Sequence, residues 1–211
     1  MGIKRVRRLV ADAAALEHAA GIILDGGVVA VPTDTLYGLA ADPFRADAVA
    51  RVFAVKGRST ERALPLIAAD TAQVVQFIGE FTPMARALAS RFWPGPLTLL
   101  LAAPATLAPD VIGEAGRVGV RVPAHDVARA LCRACGRVLT ATSANVSGEP
   151  APDNPDAVER TIGDRIDCLL DGGRTPGGPP STIVDATGST PRLVRSGAVA
   201  WIEVLACVDR T

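Results

Sequence analysis

The stretch from Val28 to Ile67 constrains the fold of this chain more than any other. It opens on Val28-Val29-Ala30-Val31, an apolar and largely β-branched run of strand length, which predicts a buried strand. Pro32 closes the run because it has no amide proton to give a sheet ladder. Thr33-Asp34-Thr35 follow at once, then Tyr37-Gly38. Short polar side chains therefore stand at the end of a buried strand, where α/β proteins usually bind ligands. The spacing of Val49, Val52 and Phe53 predicts a helix from about Ala46 to Val55. Lys56, Arg58 and Arg62 crowd the next loop, and Ala63 to Ala68 turns apolar again as a second strand. Hydroxyls and fixed positive charge together suit an anionic ligand such as a nucleotide phosphate. The same pattern also serves plain folding, since cations near a helix C-terminus favour its dipole without any ligand. Spacing by itself leaves both readings open.

The flanking chain alternates helix and strand patterns, which argues for an α/β sheet protein. Asp12 caps a helix to about Asp25 with Leu16, Ala19, Ala20, Ile23 and Leu24 on its apolar face, and Gly26-Gly27 stop it. A short helix starts at Asp70 or Thr71 and ends near Gly79, and Thr82-Pro83 begins another that runs to Phe92. Trp93-Pro94-Gly95-Pro96 forces a rigid turn into the strand Leu97 to Leu101, and Pro104 to Gly116 is a loop. Arg121 interrupts the strand Val118 to Pro123. A charge there is costly unless paired, so Arg121 either faces solvent or meets a carboxylate. Asp126 is the expected cap of the next helix, to about Cys135. Val138 to Thr142 is one strand, and Ser143-Ala144-Asn145-Val146-Ser147-Gly148 gathers small polar groups beyond its end, as any turn does. A helix starts between Asp153 and Asp156, and Cys168 to Asp171 is a strand. Gly172 to Pro180 is a Gly- and Pro-rich loop placed to cover a pocket. The chain ends in an amphipathic tail with Trp201 and Ile202.

Composition narrows the function classes. The chain has 211 residues, enough for one domain with a sizeable core, and 49% of them are apolar. The formal net charge of zero gives no support to nucleic-acid binding. Cys132 and Cys135 form a CxxC on a helix pattern, but Cys168 and Cys207 supply no second pair at metal-ligand spacing. Free thiols in a reducing cytoplasm are the expectation. No apolar run is long enough to span a membrane, and the basic start, Met1 to Arg8, suits an edge strand or tail. There is no GxxxxGK[ST] and no GxGxxG, so phosphates must be held without a P-loop.

Several strings carry a resemblance. PTDTLYGLA, KGRS with ALPLIAA, WPGPLTLLL, GVRVP, TSANVSGEP, STIVD and LVRSGA stand in that order from Val28 to Ala198. Together they resemble the YrdC family of threonylcarbamoyl-AMP synthases. The resemblance implies a single YrdC-like domain over 1–211, with a twisted open mixed sheet, flanking helices and a concave ligand groove. It implies an enzyme, a nucleotidyltransferase, that joins L-threonine, bicarbonate and ATP into threonylcarbamoyl-AMP with release of pyrophosphate. Mg²⁺ would screen the triphosphate. The product would feed the threonylcarbamoyl modification of tRNA adenosine, with downstream threonylcarbamoyl-transfer proteins and a weak tRNA contact as partners, and no membrane.

By matching position, Thr35, Arg121, Ser143 and Ser181 fall on the threonine and bicarbonate side. Lys56, Arg58, Arg62, Asn145 and Arg195 fall on the ATP side, with Lys56 and Arg58 as the catalytic cations. No metal ligand is implied. His18 and His125, the only histidines, fall outside the motifs and are expected at the surface or at caps. Catalysis would be positioning and charge stabilisation. The chain departs from the family pattern at Ser59, where a proline is common, in the run Arg62-Ala63-Leu64-Pro65-Leu66, where an asparagine before Pro-Leu and a histidine after it are missing, and at Arg117, where a threonine is usual. Two other readings compete. One is a carbamoyl-adenylate former fed by carbamoyl phosphate. The other is a nucleotide- or RNA-binding module without synthase activity, against which the few aromatics weigh.

Overall fold

The computed structural model describes residues 6–57 and 63–208 of the chain. In chain order its elements are β1 (Arg7–Val10), α1 (Ala13–Leu24), β2 (Val29–Val31), β3 (Gly38–Ala40), α2 (Ala46–Lys56), β4 (Leu66–Ile67), α3 (Thr71–Phe77) and α4 (Pro83–Phe92). They continue with β5 (Leu97–Ala102), β6 (Arg117–Arg121), α5 (Asp126–Ala134), β7 (Leu139–Thr140), β8 (Thr142–Ser143) and α6 (Pro155–Ile162). The chain closes with β9 (Cys168–Asp171), β10 (Thr182–Asp185), β11 (Arg192–Arg195) and α7 (Trp201–Val208).

The α/β expectation holds, and the pairing is mixed, but the strands divide into two sheets. The first has the order β1-β9-β2-β3-β8 and the second β11-β10-β5-β6-β4-β7. The expected strand Val138 to Thr142 is where they separate. Leu139–Thr140 pairs with β4 in one sheet, and Thr142–Ser143 pairs with β3 in the other. Between them the Ala141 amide donates to the Pro65 carbonyl at 2.8 Å. Ala141 is the one weak strand former in the run, and a single alanine does not by itself announce a change of partner.

Both faces of β2 are buried, which explains its unbroken apolar run. Val28 and Ala30 face the larger core with Leu39, Val49, Leu66, Leu97 and Val120. Val29 and Val31 face a second core under the helices, with Ala19 and Ile23 of α1 and Leu131 and Cys132 of α5. The alanines of α1 let it lie close against α5. Cys132, Cys135 and Cys168 are buried free thiols, as expected, and burial pushes the Cys135 thiol up to about 12. Of the basic start, Arg7 and Arg8 lie in β1, an edge strand parallel to β9, and residues 1–5 lie outside the described residues.

Four helix starts follow the rule that a short polar side chain accepts a first-turn amide proton. Asp12, Asp70, Thr82 and Asn154 accept from the amides three residues on at 2.8, 2.9, 3.0 and 2.9 Å. Asp126 does not cap α5: it is the first helical residue, and His125 holds the cap position without a side-chain bond. The strand expected over Ala63 to Ala68 is reduced to Leu66–Ile67. The tail is the helix α7, which packs on α4 with Val204 inward and Ile202 70% exposed. The loop from Pro104 to Gly116 contains two short 3₁₀ turns and buries Leu107 and Val111.

Candidate functional site

Lys56 is the last residue of α2, and Gly57 behind it adopts a left-handed φ of 59° that turns the chain away. The lysine is 2% exposed. Its Nζ donates to the Ser143 carbonyl at 2.6 Å and the Asn145 carbonyl at 3.0 Å. Asn145 Oδ1 at 3.1 Å and Ser143 Oγ at 3.3 Å accept from it as well. A buried ammonium is tolerable only with such partners. The Ser147 amide returns a bond to the Lys56 carbonyl at 2.9 Å, and Asn145 Nδ2 donates to the Glu149 carbonyl at 2.6 Å. Lys56 thus fastens the whole turn after β8, and with it the positions of Ser143 and Asn145.

Arg121 ends β6 and is buried. Its Nη1 donates to Asp34 Oδ1 at 2.9 Å, with the two side chains 10% and 9% exposed. Of the two alternatives for Arg121, the carboxylate is realised, and it is one of the chain's own. Burial lowers the Arg121 pKa and Asp34 opposes that shift. Asp34 was visible in the Thr33-Asp34-Thr35 turn but carried no site role in the sequence reading. The turn itself is set by Thr33, whose hydroxyl donates to the Leu36 carbonyl at 2.7 Å and lies 3.2 Å from the Thr35 hydroxyl. The Gly- and Pro-rich loop is pinned to this turn. Gly177 N and Thr175 Oγ1 both donate to the Thr35 carbonyl, at 2.9 and 3.0 Å, and Tyr37 Oη donates to the Gly173 carbonyl at 2.7 Å. Burial pushes the Tyr37 phenol up to about 12, so it stays a donor.

A third group lies at the start of β10. The Ser181 and Thr98 hydroxyls are 2.8 Å apart. Arg195 of β11 donates through Nη2 to the Ser181 carbonyl at 2.7 Å and to its Oγ at 3.1 Å. The β10–β11 register shifts between Ile183 and Val184, which aims Arg195 back along the sheet. Gly197 lets the chain pass there: a Cβ at that position would run into the Pro180 carbonyl and the Ser181 backbone. Arg195 is exposed, and its pKa is lowered first by desolvation and then by the like charge of Arg121. Thr98 is a neighbour that sequence reasoning did not name, although it stands in the WPGPLT string.

These groups share one edge of the molecule because of strand register. Arg121 ends β6 where its antiparallel partner β5 begins, and β10 runs parallel to β5 with Thr182 opposite Leu97. In the other sheet Gly38 pairs with Ser143, beside the Thr35 turn. The Asp34–Arg121 pair joins the two sheets. Arg117 carries no such role: it and Arg192 pair with Asp185 at 3.2 and 2.9 Å. Burial raises the Asp185 pKa, but the Thr187 bonds and the two arginines outweigh it and hold the carboxyl low. His18 lies at the surface against Arg7, whereas His125 is half-buried near Asp34. Arg58 and Arg62, with Ser59, lie outside the described residues. Among the described residues no cluster of acidic, His or Cys side chains forms a metal-binding group, and no helix is long and apolar enough to cross a membrane.

Fold and site together define an α/β protein that collects hydroxyls and fixed cations at the strand ends of two mixed sheets. The Sua5/YciO/YrdC family model, described as "Telomere recombination", matches residues 21–197, and the chain belongs to that family. It is 39% identical to the threonylcarbamoyl-AMP synthase of Pyrococcus abyssi over 88% of this chain and 55% of that protein. It is 36% identical to the Bacillus subtilis synthase over 92% of this chain and 56% of that protein. The chain thus spans a little over half the length of these two relatives. It matches 90% of the Nitrosococcus oceani synthase at 40% identity. The structure of P. abyssi Sua5 complexed with L-threonine superposes with a TM-score of 0.88 at 36% identity, over 96% of this chain and 60% of that one. Escherichia coli YciO, at 24% identity and a TM-score of 0.81, shares the fold.

Proposed function

We propose that this protein is an L-threonylcarbamoyladenylate synthase, a nucleotidyltransferase of the cytoplasm built as a single YrdC-like domain. The observation that carries this is the Asp34–Arg121 pair, which draws the strand ends of both sheets onto one edge. Thr35, Arg121, Ser143 and Ser181 then stand on the threonine and bicarbonate side, and Lys56, Asn145 and Arg195 on the ATP side. Arg58 and Arg62 belong to the ATP side by position in the sequence, with Arg58 beside Lys56 in the catalytic role. The relatives' printed names and the L-threonine complex of P. abyssi Sua5 support the reading.

The chemistry needs little from a dedicated acid or base. The threonine ammonium gives up a proton to solvent, and the free amine nitrogen bonds to the carbon of bicarbonate with loss of water, giving a carbamate. A carbamate oxygen attacks the α-phosphorus of ATP, the bond to the bridging β-oxygen breaks, and pyrophosphate leaves. Fixed cations that face the developing negative charge lower the barrier without reorganising. Mg²⁺ enters with ATP as part of the substrate, held by the triphosphate. The product supplies the threonylcarbamoyl group for tRNA adenosine, through transfer proteins that act downstream.

Pyrophosphate release tests the reading, measured with ATP, Mg²⁺ and bicarbonate, with and without L-threonine, and with serine and glycine as controls. Release that requires threonine is the expected result. Absence of release with every amino acid would overturn it.

A further inference from the structure

Thr98 stands on β5 opposite Ile183 of β10 and is buried. Its hydroxyl lies 2.8 Å from Ser181 Oγ, its one hydrogen-bond partner among the described residues. The β-branched side chain is stiff at χ1. Its methyl uses the space that Gly119 leaves on β6, where a Cβ would come within 3.2 Å of it. The hydroxyl therefore has a fixed aim. Ser181 Oγ, for its part, has two lone pairs and one proton. Arg195 Nη2 can only donate, and it takes one of those lone pairs at 3.1 Å. Thr98 decides what happens at the other.

Two arrangements of the hydroxyl protons are open. If Ser181 donates to Thr98, the buried Thr98 proton is left with no acceptor among the described residues, and an unmade buried bond costs free energy. If Thr98 donates, every proton has a place. Arg195 and Thr98 then fill both lone pairs of Ser181, and the serine's own proton is left for the partly exposed side. We infer that Thr98 is a positioning residue: it donates to Ser181 and so makes that serine an obligate donor toward an acceptor oxygen of the substrate. The guanidinium on the same oxygen polarises the serine O–H and strengthens the bond it gives. A proton fixed in this way needs no reorganisation when negative charge develops on the oxygen it meets. The inference rests on the synthase reading above for the reaction itself, and it gives Thr98 a role that the reading lacks.

The test is a double-mutant cycle read by pyrophosphate release with ATP, Mg²⁺, bicarbonate and L-threonine, each rate divided by the folded fraction from chemical denaturation. Thr98→Val keeps the shape and removes the proton, and kcat should fall about tenfold. Thr98→Ser keeps the donor and should stay within about threefold of the unaltered protein. Ser181→Ala should lose about a hundredfold, the cost of one preorganised donor. In that background Thr98→Val should cost less than about twofold more, because the serine through which it acts is gone. A packing defect would instead multiply into the Ser181→Ala loss. A full tenfold loss in the Ser181→Ala background, Thr98→Ser as slow as Thr98→Val, or Thr98→Val as fast as the unaltered protein would each overturn the inference. If Ser181→Ala keeps full activity, the inference fails while the synthase reading stands. If the unaltered protein releases no pyrophosphate with any amino acid, both fail.

Discussion

Lys56 and Arg195 are two cations near the same strand-end edge, held in opposite ways. Lys56 is 2% exposed and is surrounded by four acceptors from Ser143 and Asn145. Arg195 is exposed, sits on the edge strand β11, and touches only Ser181 among the hydrogen-bond acceptors described. Arg121 belongs with Lys56, buried against Asp34. The difference teaches where each charge is active. A buried cation with built-in acceptors shapes the site and supports the fold at once, because removing it strands the acceptors it served. An exposed arginine held by a single neighbouring residue keeps a face available to a ligand and costs the fold little when lost.

Three substitutions test that division. Arg121→Ala should have the largest effect, about 3–5 kcal/mol of stability, because it leaves the Asp34 carboxylate buried and unpaired. Chemical denaturation measures it, and pyrophosphate release should vanish in whatever protein remains folded. Lys56→Met keeps the apolar stem and removes the ammonium. It should cost about 1.5–3 kcal/mol, the range for hydrogen bonds to a charged group, and should raise hydrogen exchange selectively in the Ser143 to Gly148 turn. Arg195→Ala should change stability by no more than about 0.5 kcal/mol while lowering pyrophosphate release about tenfold or more. The contrast breaks if Arg195→Ala unfolds the protein as readily as Lys56→Met, or if Lys56→Met leaves the turn's exchange unchanged.

Much of this was legible in the chain. The caps at Asp12, Asp70 and Thr82, the burial of Val28 to Val31 and the interruption at Pro32 follow from local rules, and the structure obeys them. The polar turns after β2 and before α6 were visible as clusters of Thr, Asp, Ser and Asn, and the charge at Arg121 announced that it needed a partner. Misplaced details share one cause. The strand Val138 to Thr142 looked continuous because strand propensity is local, whereas its split between β4 and β3 depends on neighbours far away in sequence. Asp126 looked like a cap because its type fits, but the turn from Pro123 delivers His125 to that position instead.

The sequence by itself determined the class of elements, the family strings and the residue types of the site. Their chemistry is local, a matter of hydroxyls, amides and cations at short spacing. Only the tertiary structure decided which of them meet. Asp34 and Arg121 stand 87 residues apart, as do Lys56 and Ser143, while Thr98 and Ser181 are separated by 83. No propensity or period reaches across such distances. Sheet register brings the pairs together, and desolvation makes each partner necessary to the other.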